Sequence, residues 1–341
     1  MKSKISLVVL WALSVSVFSG CGYVTMYTTP VVDDDQTIVY VRTGQSYSDF
    51  LDSLGKTGLI NPYTDFRRAA KTFHYEESFK PGRYRLRKGM TAVEAVKLLR
   101  SGSREPVKFS FHYLRTPEAL AGKMASKLEA DSAELVALLS DPVFTREKLD
   151  VTPATASVIF IPNTYEIHWN TTAEDFSLKM KKEYDKFWTE DRRAKAKAIG
   201  LSPAEVSILA SLVQAEQSRV KEEWPVIAGL YLNRLNKGML LQSDPTVVFA
   251  QGDFTIKRVL LRHLEIDSPY NTYKYAGLPP GPINMPEPGV IDAVLNADNN
   301  DYIYMCAKED LSGRHSFAVT LTEHNRNAAA YQRALNRAGI R

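Results

Sequence analysis

The stretch "SILASLVQAEQSRV", residues 207–220, sets one carboxylate among apolar neighbours. At 3.6 residues per turn, Leu209, Leu212 and Val213 precede Glu216 by seven, four and three positions and share its helix face. A carboxyl group on such a face loses hydration, which raises its pKa and favours the protonated acid near neutral pH. That state is suited to protonating a leaving oxygen and then taking a proton back. The competing reading is a glutamate at a frayed helix end, reaching past Gln217 to water or pairing with Arg219.

The flanking elements are written into the same region. Ser202, Pro203 and Glu205 supply an N-cap, a first helical residue and a capping-box partner, so the helix is predicted to begin there. Downstream, "LYLNRLNKGMLLQSDPTVVFAQG" ends a helix at Gly238 and passes into a loop rich in hydrogen-bonding groups. "SPYNTYKYAGLPPGPINMPEPG" then forms a long irregular segment dense in Asn, Tyr, Pro and Gly. Such loops inside compact domains often carry function. Tyrosine rings and asparagine amides on proline-stiffened loops suit a carbohydrate, with rings for sugar faces and amides for acetamido and hydroxyl groups. A loop packed only for its own sake is the alternative.

Other chemistries lack their residues. Six histidines are scattered and no H-E-x-x-H occurs, so no metal site is expected, and His315 and His324 read as loop hydrogen-bonders or core residues. Neither a G-x-S-x-G elbow nor a phosphate-binding glycine loop is present, and no cofactor is expected. The net charge of +4, from 43 basic and 39 acidic residues, is too small to imply nucleic acid. Arg83, Arg85, Arg87 and Lys88 read as the solvated face of a strand. Cys21 and Cys306 are too few and too far apart in character for a disulfide framework, and Cys306, in "YIYMCA", reads as a small core residue.

At 341 residues, 44% hydrophobic and 24% charged, the chain is long enough for two domains with their own cores. Lys2 and Lys4 precede a charge-free run from Ile5 to about Met26, close to the ~20 residues that span a bilayer. The favoured reading is an uncleaved anchor that exports the rest of the chain. The second is a lipoprotein site, "FSGC", with Cys21 lipidated, although Phe18 stands where such sites carry a smaller aliphatic residue. After the polar stretch "PVVDDDQ", two strand-helix units share one pattern. Gly44, Ser46 and Asp49 recur at equal offsets as Gly89, Thr91 and Glu94, which predicts an imperfect internal repeat. Thr116 and Pro117 begin a further helix, and "DVTPATAS", residues 150–157, interrupts the periodicity where a boundary is expected.

"ASLVQAEQ", "LNRLNKGMLLQSDPTVVFA", "SPYNTYKYAGLPPGPI" and "HSFAVTLTEHN" resemble, in order and spacing, the signature segments of the endolytic murein transglycosylases, the YceG-like family. With "FKPGRYRL" and "FIPNTYEI" the resemblance covers roughly residues 38 to 338. It implies an α+β protein with an inner-membrane anchor over residues 1–29, a linker over 30–37 and a small LysM-like subdomain over 38–105. A connecting strand and helices over 106–157 and a periplasmic catalytic domain over 158–341 complete it. It also implies Glu216 as the catalytic acid, with Asn163, Asn233, Asp244, Asn271 and Tyr273 as cleft or support positions. Gln214 stands where the family often carries a second glutamate, and Asn163 where relatives commonly carry aspartate. The implied partners are peptidoglycan glycan strands and a peptidoglycan synthase. The implied reaction cleaves the bond between N-acetylmuramic acid and N-acetylglucosamine with one carboxylate, because the muramic C6 hydroxyl is an intramolecular nucleophile. A two-carboxylate muramidase using Asp244, and an anchored peptidoglycan-binding scaffold with a structural Glu216, are the alternatives.

Overall fold

The computed structural model of the chain describes residues 22–340. Most of the charge-free amino-terminal run, Cys21 included, lies outside the described residues, and both readings of that segment fall there. Among the described residues no single helix is long and apolar enough to cross a membrane. The fold is mixed α+β, as the interleaved strand and helix signals predict. It divides into two compact units. The first takes the chain up to Phe109 with Lys127–Ala130 and Tyr165–Thr172; the second takes Ser110–Ser126, Asp131–Thr164 and the chain from Ala173 onward.

In the first unit β1 (Ile38–Val41) leads into α1 (Tyr47–Thr57) and α2 (Tyr63–Thr72), and β2 (Gly82–Arg85) leads into α3 (Ala92–Ser101). The strands pair antiparallel, with Ile38 opposite Arg85 and Val41 opposite Gly82. Each is followed by a glycine in the left-handed region, Gly44 at φ 74° and Gly89 at φ 81°, a conformation that a Cβ disfavours. Ser46 then caps α1 by accepting the Asp49 N–H, and Thr91 caps α3 in a full capping box with Glu94. The expected repeat is present as two strand-helix units sharing one sheet, over a core that includes Val39, Phe50, Phe66, Tyr84 and Leu99.

Two expectations for this unit change. Residues 30–36 are partly core rather than a free polar linker: Val31 and Val32 are buried, and the Val31 N–H donates to the Met90 carbonyl at 2.8 Å. Arg83 and Arg85 do not form a purely solvated face, because both bond Glu105 at 2.6 Å, on separate oxygens. The chain continues into β3 (Pro106–Ser110), which pairs with the later β4 (Thr164–His168).

The second unit opens with α4 (Pro117–Ala125), capped by Thr116 as predicted, then α5 (Ser132–Ser140) and α6 (Pro142–Leu149). Residues 150–157 do not separate the units. Pro153–Ile159 forms a 3-10 segment whose Ala156, Val158 and Ile159 are buried. After α7 (Ala173–Phe187) and α8 (Glu190–Ala198) come α9 (Pro203–Glu216), α10 (Trp224–Asn236), α11 (Asp244–Gln251) and α12 (Pro288–Leu295). A hairpin of β5 (Tyr304–Ala307) and β6 (His315–Ala318) and a terminal α13 (Leu321–Arg337) complete it.

Helix α9 begins where its sequence dictates. Ser202 accepts the Glu205 N–H, and the Glu205 carboxylate accepts the Ser202 N–H at 2.8 Å. Its burial is not one-sided, however: every residue from Val206 to Gln214 is buried, because α10, α11 and α12 all pack against it. A helix enclosed on all sides has no solvent stripe, so its apolar residues need no amphipathic period. Ser202→Ala is expected to cost about 1 kcal/mol through the lost cap, and Leu212→Ala about 2–5 kcal/mol through the cavity it leaves. Urea unfolding of the two variants checks both values; equal losses would show that α9 is not the core element described here.

Candidate active site

The carboxyl end of α9 is locked rather than frayed. Gln217 leaves the helix in an extended conformation and is buried. Its side-chain oxygen accepts the N–H groups of Arg219 and Val220 at 3.1 and 3.0 Å, and its amide donates to Glu223 and to the Gly313 carbonyl, each at 2.9 Å. The Trp224 ring N–H closes the turn on the Gln217 carbonyl at 2.6 Å. Arg219 is exposed and forms no ion pair with Glu216 among the described residues, so the frayed-end reading falls.

Polar side chains along α9 hold the loops around this end. Ser211 accepts the Ile283 N–H at 3.1 Å, Asn284 donates to the Ser211 carbonyl at 2.7 Å, and Gln214 accepts the Glu287 N–H at 3.0 Å. The irregular segment before α12 is therefore tied to the helix that carries Glu216.

Glu216 lines a cavity of about 280 Å³ together with Tyr231, Asp244, Tyr273 and His315. Its Oε1 accepts two hydroxyls, Tyr231 at 2.9 Å and Ser243. Its Oε2 makes no hydrogen bond among the described residues and is free to carry a proton. Burial raises the Glu216 pKa, and the charge of Asp244 adds to that; the Ser243 and Tyr231 hydroxyls and His315 oppose it without cancelling it. The result is a carboxylic acid on the cavity wall with one oxygen fixed by hydroxyls and the other not hydrogen-bonded among the described residues.

Three elements position the surrounding groups. Ser243 is fully buried, and its backbone N–H donates to the Thr272 hydroxyl at 2.9 Å, which in turn shares a 2.8 Å hydrogen bond with Thr246. Arg234 on α10 gathers the loop ahead of it, donating to the Leu240 and Leu241 carbonyls at 3.0 Å and to the Ile303 carbonyl at 2.6 Å. On the hairpin, the His315 ring nitrogen Nδ1 lies 2.8 Å from Glu223, whose other oxygen accepts the His315 backbone N–H at 3.0 Å. Burial alone would raise the Glu223 pKa, but the His315 N–H groups and the Gln217 amide outweigh it and hold the carboxylate below its ordinary value. An ionised Glu223 takes the proton on His315 Nδ1 as its hydrogen bond and so fixes the ring's orientation.

The profile of the YceG-like family matches residues 39–330. The chain belongs to that family. Within and around the family, the endolytic murein transglycosylase of Bacillus subtilis is 31% identical over 322 residues, covering 89% of this chain and 87% of the relative. The endolytic murein transglycosylase of Streptococcus pneumoniae is 28% identical, over 95% of this chain and 64% of its own greater length. A crystal structure of a YceG-like protein from Listeria monocytogenes superposes with a TM-score of 0.58 at 28% identity, over 86% of this chain and 98% of that one.

Of the positions that the family resemblance implies, Glu216, Asp244 and Tyr273 line the one cavity, and the Tyr273 hydroxyl donates to Asp244 at 2.6 Å. Two others brace its walls. Asn233 donates to the Asn300 and Tyr302 carbonyls at 2.7 and 3.0 Å, one turn beyond Gly229, where a Cβ would collide with the Asp298 carbonyl. Asn271 is fully buried and spends its amide on the Leu264 and Ile266 carbonyls at 2.9 and 2.8 Å. Asn163 is exposed, accepts the Thr164 N–H at 2.7 Å and does not line the cavity. Residue-level reading missed Tyr231, Ser243 and the Glu223–Gln217–His315 cluster. Only "QSD", with a hydroxyl next to the acid, hinted at Ser243, since its partner lies 27 residues away. Cys306 lines the cavity half-buried rather than sitting in the core.

The sign of the Glu216 shift gives a stability test. A carboxyl whose pKa is raised in the folded state favours folding at low pH, and that contribution is lost as pH climbs from the ordinary carboxyl value through the raised one. Glu216→Gln retains an acceptor for both hydroxyls but cannot ionise. Its melting temperature should exceed that of the wild type near about pH 8, with the margin shrinking toward about pH 4. A margin independent of pH in thermal melts would contradict the buried-acid description.

Proposed function

We propose that this protein is an endolytic lytic transglycosylase of peptidoglycan, anchored in the inner membrane with its body in the periplasm. The observation that carries the reading is Glu216: a desolvated acid that lines a cavity, with Oε1 pinned by two hydroxyls and Oε2 left without a hydrogen bond among the described residues. The names of the Bacillus and Streptococcus relatives point to the same reaction.

Glu216 protonates the oxygen that joins N-acetylmuramic acid to N-acetylglucosamine, and the bond to the muramic anomeric carbon breaks as positive charge develops on the ring. The resulting carboxylate, held by Tyr231 and Ser243, then takes the proton of the muramic C6 hydroxyl as that oxygen bonds to the anomeric carbon. The proton gained equals the proton given, no water is consumed, and a 1,6-anhydromuramic end remains. Proximity of the C6 hydroxyl replaces a positioned water and its activating base. Asp244 faces the same cavity with its carboxyl bonded by Tyr273, where its charge suits the developing cation.

The run behind Lys2 and Lys4 supports the anchor. A LysM-like, glycan-binding role for the first unit is supported by its strand-helix repeat and by exposed Tyr40, whose ring packs 4.8 Å from that of Trp169 with Arg42 over the same indole. A peptidoglycan synthase is the partner that would supply uncrosslinked strands to an anchored enzyme.

Glu216→Gln should lower cleavage of uncrosslinked glycan strands by roughly 10²–10⁴-fold while strand binding persists. Mass spectrometry of wild-type products separates the readings. Fragments whose masses sum to that of the substrate support the anhydro route, and a gain of one water per cut would assign a two-carboxylate hydrolysis with Asp244 instead.

A further inference from the structure

A second cavity, of about 700 Å³, adjoins the one that holds Glu216. Asp244 lines both, and Ala215, the neighbour of Glu216 in the chain, lines the larger. Its chemistry differs from that of the smaller. Arg115, Lys257 and Arg258 bring three cations to it, Tyr113 and Phe254 bring rings, and Val248 contributes to an apolar floor. None of the three cations forms an ion pair among the described residues. Arg115 is half-buried, with its guanidinium carbon 4.7 Å from the Phe254 ring centre and 5.6 Å from that of Tyr113.

We propose that this groove receives the acidic peptide stem borne by the muramic residue at the scissile bond, which makes the enzyme selective for strands that still carry their peptides. The inference rests on the transglycosylase reading of Glu216. That reaction puts a muramic ring against Glu216, and the peptide departs from the lactyl ether on the same ring. The stem must therefore leave the reacting sugar beside the catalytic acid, where the cationic groove lies. Sugar hydroxyls and acetamido groups need no cations, whereas the stem's carboxylates do. Stacking against two rings limits the freedom of the Arg115 guanidinium while its N–H edge stays available to a carboxylate, so little order has to be gained on binding. Lys257 and Arg258 are exposed and serve mainly to attract the acidic stem and steer it inward. The floor accommodates alanyl methyl groups. A lipid-linked pyrophosphate is the other anion of a nascent strand, but internal cutting leaves it several sugars away from Glu216.

Binding measured on the Glu216→Gln protein tests this without depending on turnover. Uncrosslinked strands with intact stems, the same strands stripped by an amidase, and lipid-linked strands are compared by fluorescence anisotropy. Peptide-bearing strands should bind about tenfold more tightly than stripped ones, with the difference narrowing as salt rises. The triple substitution Arg115→Ala, Lys257→Ala, Arg258→Ala should bring the two affinities together, and Arg115→Lys should restore the preference only in part. Equal binding of stripped and peptide-bearing strands, equal loss for both in the triple variant, or a loss confined to lipid-linked strands would each overturn the proposal. If the wild type cuts no strand of any kind, the transglycosylase reading fails while the binding comparison still reports on the groove.

Discussion

The turn made by Gln217 is the constraint on which the second unit's chemistry depends. A helix enclosed on every side would ordinarily continue or end at the surface, but α9 stops where a buried amide accepts the backbone N–H groups of Arg219 and Val220 and reaches Glu223 and Gly313. Without those bonds the Gln217 amide would itself be buried and unpaired, at a cost of about 1–3 kcal/mol for each polar group left without a partner. With them, Glu216 is the last helical residue and keeps a helix-like direction into the cavity. The same amide supports Glu223, which holds the His315 ring. The acid and one wall of its cavity are thus referred to a single side chain.

Two opposing effects act on the acid itself. Desolvation pushes its proton affinity up, and the Ser243 and Tyr231 hydroxyls, which favour the charged form, pull it down. Both hydroxyls converge on one oxygen, so the restraint that tempers acidity also sets geometry. An acid used first as donor and then as base benefits from this balance, because a group held too firmly in either state fails in one half of the cycle. Tyr231 is itself buried, and burial together with the Glu216 charge raises its pKa well above the ordinary phenol value, so it remains a donor throughout.

Much of this was legible in the sequence because it is written locally. The Ser202–Glu205 box, the Thr91–Glu94 box and the paired glycines at 44 and 89 are short-range signals, and each appears where it was read. Glu216 was visible through its apolar neighbours, although the reason for their apolarity differs: α9 is central rather than one-sided. What escaped reading depends on contacts between distant residues. Ser243 and Tyr231 meet Glu216 only when α10 and the loop before α11 close on α9, and apart from the acid beside Ser243 nothing in their own surroundings marks them. Asn271 and Asn233 drew attention through the family resemblance as cleft or support positions, yet their amides are consumed by backbone carbonyls. The valines at 31 and 32 were masked by the aspartates that follow them, since composition averages over a stretch that the fold splits.

Gly229 has an effect disproportionate to its size. The segment that carries Asp298 and Asn300 lies directly on the backbone of α10 at that point, and the chain runs on from there into β5 and then to His315 on β6. The missing side chain therefore acts as a shim of zero thickness behind the hairpin. A methyl group inserted there could be housed only by displacing that segment or the helix beneath it, so the seating of the hairpin wall depends on a residue that touches none of the reacting groups.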